Sequence, residues 1–406
     1  MTRSETSCAQ RSPLQLASNS GPDWMLAVPL AVLGVGNLIL PENVQEIGGI
    51  SYIAIFASIV GLYVAGHIIR CVRNFHAVSL VVFGASVAVG VNNAFGNFYS
   101  TQKVVGLGLA LALMAVPAAF TRRDDGWAKV RGILAPCILG TVVYFFIGSA
   151  LSSSGRLSLF DMNPIGISRF FGILAVIGCV RFFVRPSGPR YGLWLAGACV
   201  IASLTAMIGT GSRGPLVGVI GAVAFLGLSR RSRRLRPLFG LTALMLGGIL
   251  VSMSVDSNGL ARVMFGSDSG RLELYQDVVA VAMENPFGIG WGNLASYLPG
   301  WWTENGVTLY AHNILLEFWV EGGIVAPIGL MIVLGVAFRN IVADIRSQES
   351  QSAMEIGALL MFCLVNSMFS SDLVGARFLW LVVGFALIRT RRSFAGAELY
   401  EVERSI

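Results

Sequence analysis

"GGIVAPIGLMIVLGVAFR" (residues 322–339) runs from paired glycines through an unbroken apolar stretch to a single charge at its last position. A hydrocarbon core about 30 Å thick needs about 20 largely apolar residues in a helix, so this stretch reads as a membrane span. Working outward, similar runs lie near 24–40, 50–68, 77–93, 104–120, 132–152, 168–184, 191–209, 214–229, 237–254, 354–370 and 376–389. Across all 406 residues 55% are hydrophobic and 13% charged, whereas soluble domains carry roughly 25% charged side chains. The expected fold is therefore an all-α polytopic integral membrane protein with about twelve transmembrane helices.

Basic residues set its orientation, because Lys and Arg crowd short cytoplasmic loops. With both termini in the cytoplasm, all of the 29 Lys and Arg residues fall inside except Lys103, Arg156, Arg169, Arg213, Arg262, Arg271 and Arg377. The chain then divides into a cytoplasmic tail (1–23), spans one to nine (24–254), a large outer loop (255–321), spans ten to twelve (322–389) and a second cytoplasmic tail (390–406). The first tail, rich in Ser, Gln and Pro, is followed by no small-residue cleavage site and reads as an uncleaved start. The net charge of +7 is mostly this inward bias. "SRRSRRLR" (229–236) reads as a topology anchor against anionic membrane lipids, and no nucleic-acid partner is implied. Cys8 and Cys71 face inward and Cys137, Cys179, Cys199 and Cys363 lie within spans, so no outer disulfide framework is expected.

An outer face this poor in charge requires each outward cation to be explained. Arg213 stands in "TGSRGP" (210–215), where Ser212 is placed to cap the eighth span and Pro215 falls in its first turn. In the outer stretch 151–169, which also carries Arg156, "NPIGISR" (163–169) offers Asn163 as cap, Pro164 as first helical residue and Arg169 further in. Helix N-termini carry free N–H groups and a positive dipole end, so an arginine beside one makes an anion site. The competing explanation is that both arginines snorkel to lipid headgroups.

The long loop favours the anion site. Arg271 opens "GRLELYQDVVAVAMENPFGIGWGN" (270–293), in which Leu272, Tyr275, Val279 and Ala282 follow helical spacing until Asn285 and Pro286 end the helix. It is too polar to span and is expected to lie on the outer surface. "GIGWG" (288–292) reads as a glycine-rich turn, since no strand precedes it as a dinucleotide site requires. Tyr297, Trp301, Trp302 and Tyr310 are suited either to stacking on sugars or to an interfacial aromatic belt. Next comes "YAHNILLEFWVEGG" (310–323). Of the three histidines only His312 faces outward, and it heads a helix whose Asn313, Glu317 and Glu321 form a polar stripe. It is available as a general base near neutral pH or as a neutral hydrogen-bond donor to a phosphate.

"TGSRG" after a span, "SGR" opening an outer helix, "NPFGIGWG", and "AHN" ahead of a span, in that order and on one side, resemble the O-antigen ligase and polymerase superfamily of bacterial membrane glycosyltransferases over roughly residues 160–340. The ligase pattern of His, then Asn, Ser or Gln, nine residues, Gly, two residues, and Gly, Thr or Tyr is met at His312, Asn313 and Gly323 but departs at Ala326. The resemblance places the family's two functional arginines at Arg213 and Arg271 and its histidine at His312, which are the expected catalytic residues; Arg169, Arg156, Asn163, Ser212, Asn313 and Glu317 are expected to bind substrate. It also implies a bacterial inner-membrane enzyme whose periplasmic face transfers a glycan from undecaprenyl diphosphate to a sugar hydroxyl. The acceptor is the lipid A core in a ligase and another lipid-linked repeat unit in a polymerase. A repeat-unit flippase and a chain-length regulator are the implied protein partners.

No cofactor or metal is expected. Asp124 and Asp125 read as a solvated turn on the cytoplasmic side, and Asp161, Asp256, Asp268 and Asp372 are scattered in sequence. A twelve-span transporter or flippase is the reading from another class. It is disfavoured because the ionisable outliers gather at one face rather than at mid-membrane, and the large loop has no counterpart in the first half.

Overall fold

Helices fill the expected spans wherever the computed structural model describes the chain, namely residues 21–39, 46–47, 50–51, 59, 77–91, 98–120, 123–148, 150–151, 157–158, 163–183, 190–229, 271–300, 302, 310–348, 350–370 and 372–388. In chain order they are α1 (Gly21–Ile39), α2 (Ala77–Ala88), α3 (Phe98–Ala115), α4 (Arg123–Gly148), α5 (Pro164–Phe183), α6 (Arg190–Gly209), α7 (Arg213–Leu228), α8 (Arg271–Glu284), the single turn α9 (Leu294–Tyr297), α10 (Ile314–Gly322), α11 (Val325–Gln348), α12 (Gln351–Ser370) and α13 (Arg377–Leu387). Two antiparallel pairs of two-residue strands, β1 (Glu46–Ile47) with β2 (Ile50–Ser51) and β3 (Ala150–Leu151) with β4 (Leu157–Ser158), are the strands among the described residues. The expected spans 50–68 and 237–254 fall almost wholly outside the described residues. The helical choice is physical: in lipid each backbone polar group must be satisfied within its own segment.

Six stretches are long and apolar enough to cross a bilayer: Tyr99–Ala119, Arg123–Gly148, Pro164–Phe182, Tyr191–Gly209, Val325–Arg346 and Gln351–Phe369. Four shorter apolar helices accompany them. The chain is thus a multi-pass membrane protein. Similar hydropathy hides very different positions: each residue of α13 is buried, whereas α6 exposes Tyr191 and Trp194 at 75% and 78%.

Ion pairs fasten one end of the bundle. Arg123 meets Asp344, Lys129 meets Asp23 at 2.7 Å and Arg131 meets Glu355 at 2.7 Å, joining the starts of α1, α4 and α12 to the end of α11. Asp124 and Asp125, expected in a solvated turn, instead occupy the first turn of α4, where carboxylates complement the helix dipole. Asp124 also accepts from the Ser350 hydroxyl at 3.3 Å. At about 1.5 Å per residue, α12 carries the chain from Glu355 to Phe369 over about 20 Å, and Arg169, Arg271 and His312 gather at that far end.

There α8, α9 and α10 pack into a second apolar core of Leu274, Val278, Ala282, Ile289, Leu294, Leu298, Ala311 and Val320. The buried face of α8 is therefore Leu274, Val278 and Ala282, not the expected stripe through Leu272, which is 59% exposed. "GIGWG" is more than a turn. Its backbone closes the C-terminal end of α10: Ile289 N donates to Val320 O at 2.9 Å and Gly290 N to Glu321 O at 3.0 Å. These bonds satisfy carbonyls that a helix end leaves open.

Gly288 and Gly323 make the contact possible. Both have positive φ (84° and 72°), and a Cβ on Gly323 would lie 2.5 Å from the Phe287 carbonyl carbon. Gly323, with ψ 178°, occupies a region essentially reserved for glycine. Gly323→Ala is expected to cost about 1–3 kcal/mol or more, read as a lowered melting temperature in detergent, whereas Gly335→Ala, which meets no neighbour, should melt like wild type.

Candidate functional site

His312 sits at φ 53°, the sole positive φ outside glycine among the described residues. The next residue holds it there: Asn313 caps α10, its Oδ1 accepting from Leu315 N at 3.0 Å and Leu316 N at 3.2 Å. The Tyr310 ring lies 4.3 Å from the imidazole, centroid to centroid. His312 Nδ1 is buried with no hydrogen-bond partner among the described residues. Burial, followed by the positive field of Arg271, pushes its pKa down to about 4, while Asp372 pulls the other way. This environment favours the neutral imidazole, the form that both roles read from the sequence require.

Three cationic positions converge on this end. Arg271, the first residue of α8, donates from Nη1 to Phe369 O at 2.7 Å, which ties α8 to the end of α12 and leaves its other donors for a ligand. Arg169, on α5, shares its electrostatic surroundings with Tyr310, Asp372 and Cys363. Arg213 begins α7, whose antiparallel register on α12 is fixed by Gly218 against Phe362 and Phe225 against Gly357. Continued to its start, that register sets the Arg213 backbone level with the last turn of α12. The N-termini of α5, α7 and α13 therefore share one end of the bundle and add their dipoles to the arginines.

The smaller site residues divide. Asn163 does cap α5, its Oδ1 accepting from Ile165 N at 2.9 Å. Ser212 holds the N-cap position of α7 but makes no side-chain cap bond; its Oγ is buried without a partner among the described residues. Arg156 lies outside the described residues. The expected polar stripe of α10 also turns inward. Glu317 and Glu321 are fully buried, so Glu317 presents no surface to a substrate.

Both carboxylates meet Lys103 of α3, itself fully buried. Its Nζ lies 2.6 Å from Glu317 Oε1 as an ion pair and donates to Glu321 Oε1 and Oε2 at 2.7 Å each. Glu321 Oε2 also accepts from Gly292 N at 3.0 Å, and a Glu317 oxygen from Leu373 N at 3.1 Å. Burial lifts the Glu317 carboxyl to about 8 and raises that of Glu321, with Lys103 opposing both.

Sequence reasoning missed Lys103 and Asp372. Asp372 follows α12, accepts from Gly375 N at 2.7 Å and faces the charges of His312, Tyr310 and Arg169. In sequence it is one isolated acid between two spans. Lys103 did leave a signal, as an outward cation at the edge of the apolar run 104–120. A cavity at the same end is lined by Arg169, Cys363, Asn366, Ser367, Gly375 and Ala376. The aromatics divide too: Trp302 is buried and donates to Asp277 at 2.8 Å, Tyr297 is 48% exposed, and Trp301 lies outside the described residues.

A multi-pass helical protein with arginines, helix N-termini and a neutral histidine gathered at one end is the class that fold and site define. Residues 198–333 match the family model described as O-antigen ligase, which supports the O-antigen ligase and polymerase superfamily and, in general terms, a glycosyltransferase-like activity. No curated protein matches it. The matched segment carries Arg213, Arg271, His312, Glu317 and Glu321, while Lys103, Arg169 and Asp372 reach the site from outside it. Ala326, where the ligase pattern departs, is fully buried directly beneath Gly322, a position that suits a small side chain.

Proposed function

We propose that this protein is an O-antigen ligase: at the periplasmic face of the bacterial inner membrane it transfers a glycan from undecaprenyl diphosphate to a hydroxyl of the lipid A core. The observation that carries the reading is the convergence of Arg271, Arg169 and the start of α7 on a neutral His312. Guanidinium forks match phosphate oxygens in pairs, which suits them to a sugar's diphosphate leaving group.

In this reading the acceptor oxygen attacks the anomeric carbon as the bond to the diphosphate oxygen breaks, inverting the configuration. Arg213 and Arg271 stabilise the charge that grows on the departing diphosphate, and Arg169 helps hold it. His312 accepts the hydroxyl proton, and binding of the dianionic donor beside it raises its proton affinity at the moment it is needed. Charge compensation by arginine leaves no step that calls for a metal or a cofactor.

The test is genetic and biochemical. Deleting the gene and resolving surface polysaccharides on a gel is expected to show lipid A without polymer while long carrier-linked chains accumulate. Single repeat units surviving on lipid A would instead indicate the polymerase of the same superfamily. Wild type should restore the pattern and Arg213→Ala, Arg271→Ala and His312→Ala should not. Full rescue by all three variants would remove the proposed site.

A further inference from the structure

The ligase reading leaves unexplained why a lysine and two glutamates are buried together beside the site. Burying three ionisable groups is costly, and each such group in a membrane protein needs a reason and a partner. The partners are known; the reason lies in what they tie together. Lys103 belongs to α3, remote in sequence from everything else in the site. Glu317 and Glu321 stand one turn apart on α10, whose first turn comes directly after His312, and Glu317 N donates to Asn313 O at 2.9 Å in the cap that holds His312. Glu321 Oε2 takes Gly292 N, fixing the glycine loop after α8. Glu317 takes Leu373 N, fixing the backbone next to Asp372, whose own carbonyl accepts from Ala376 N at 3.1 Å.

We propose that Lys103 is a positioning residue for transfer: through Glu317 and Glu321 it sets His312 in register with the Asp372 loop and the loop after α8. The inference rests on the ligase reading for its activity assay, but not for its geometry. Van der Waals packing alone would hold these elements together. The ionic cluster adds direction, since one ammonium donates to both Glu321 oxygens and pairs with Glu317, and the carboxylates fix two backbone N–H groups on separate loops. An error of about 1 Å in such a placement is enough to cost about 100-fold in rate.

Lys103→Met and Glu317→Gln, purified in detergent and matched for folded protein by melting curves, are compared with wild type for transfer from a synthetic polyprenyl-diphosphate glycan. Lys103→Met is expected to lose about 100-fold in kcat, and Glu317→Gln less, with the donor KM little changed in both. Restoring the cation with Lys103→Arg should recover part of the loss. Glu317→Gln, which keeps the shape of the side chain, supplies the kinetic result if Lys103→Met does not fold. Diethyl pyrocarbonate acylation of His312, followed by mass spectrometry, reads the same geometry without any transfer assay. It should change several-fold in Glu317→Gln while Cys137→Ser, on the exposed surface of α4, leaves it at the wild-type rate. Unchanged kcat per folded molecule, or a loss confined to donor KM, overturns the proposal. If wild type transfers nothing, the ligase reading fails on its own, and the acylation rates decide the positioning role: a rate in Glu317→Gln equal to wild type overturns it.

Discussion

His312→Ala is expected to lower kcat for glycan transfer by about 10²- to 10⁴-fold, the range of a positioned proton acceptor, with little effect on folding. The residue lies outside the two apolar cores, and Asn313 keeps α10 capped without it. The pH dependence gives a sharper test. In the proposed mechanism the neutral imidazole is the active form, and its pKa in the free protein is pushed down to about 4 by burial and by Arg271. For kcat/KM, which reports the free enzyme, activity should hold level from neutral pH downward and fall only as pH drops through about 4. Donor binding brings negative charge beside the imidazole and favours its protonated form, so the acid limb of kcat should lie at higher pH than that of kcat/KM. The same group links stability to pH. Its folded pKa lies below the ordinary value of 6.5, so the unfolded chain takes up a proton first and stability declines as pH falls from about 6.5 toward 4. An acid limb that persists unchanged in His312→Ala would assign it to another group.

The parts of this molecule that are legible in its sequence are those governed by local rules. Apolar runs mark the helices, because a lipid environment leaves a continuous chain few other ways to satisfy its backbone. The end of α8 before Asn285, the Asn163 cap and the helix after Asn313 come from capping chemistry. Facing is what local rules miss. Glu317 and Glu321 look like a water-facing stripe in sequence, since an acid is rarely buried without a partner, and the partner, Lys103, lies more than 200 positions away. The stripe expected on α8 is one register off for a related reason. That helix has apolar residues on two faces, and only the docking of Ile289, Leu294 and Ala311 decides which one is covered. Burial across the bundle escapes the sequence for the same cause: α13 and α6 are both apolar throughout, yet one is enclosed and the other peripheral. Asp372 joins the site only because α12 and α13 meet beside α10, a tertiary fact that no spacing encodes.

Arg271→Ala should cost about 10²- to 10³-fold in kcat if the guanidinium acts on charge that develops in the transition state, as removal of one oxyanion donor typically does. Two features of its setting sharpen the expectation. First, Nη1 is already committed to Phe369 O, so the orientation of the guanidinium plane is fixed before any ligand arrives. Arg271→Lys keeps the charge but loses the planar fork that matches two phosphate oxygens, so it should restore only part of the rate. Second, Arg271 depresses the pKa of His312, so Arg271→Ala should move the acid limb of kcat/KM to higher pH as well as lower the rate. A residue that merely braced α8 against α12 would produce neither the ranking of Arg above Lys above Ala at equal folding nor the displaced limb. The double variant Arg271→Ala with His312→Ala then separates shared from independent action. Groups serving one transition state fall short of additivity, so the double variant should lose much less than the product of the single losses. Full multiplication of the two would mean that Arg271 holds the donor in the ground state while His312 works alone on the acceptor, and the loss in Arg271→Ala would then appear in KM rather than in kcat.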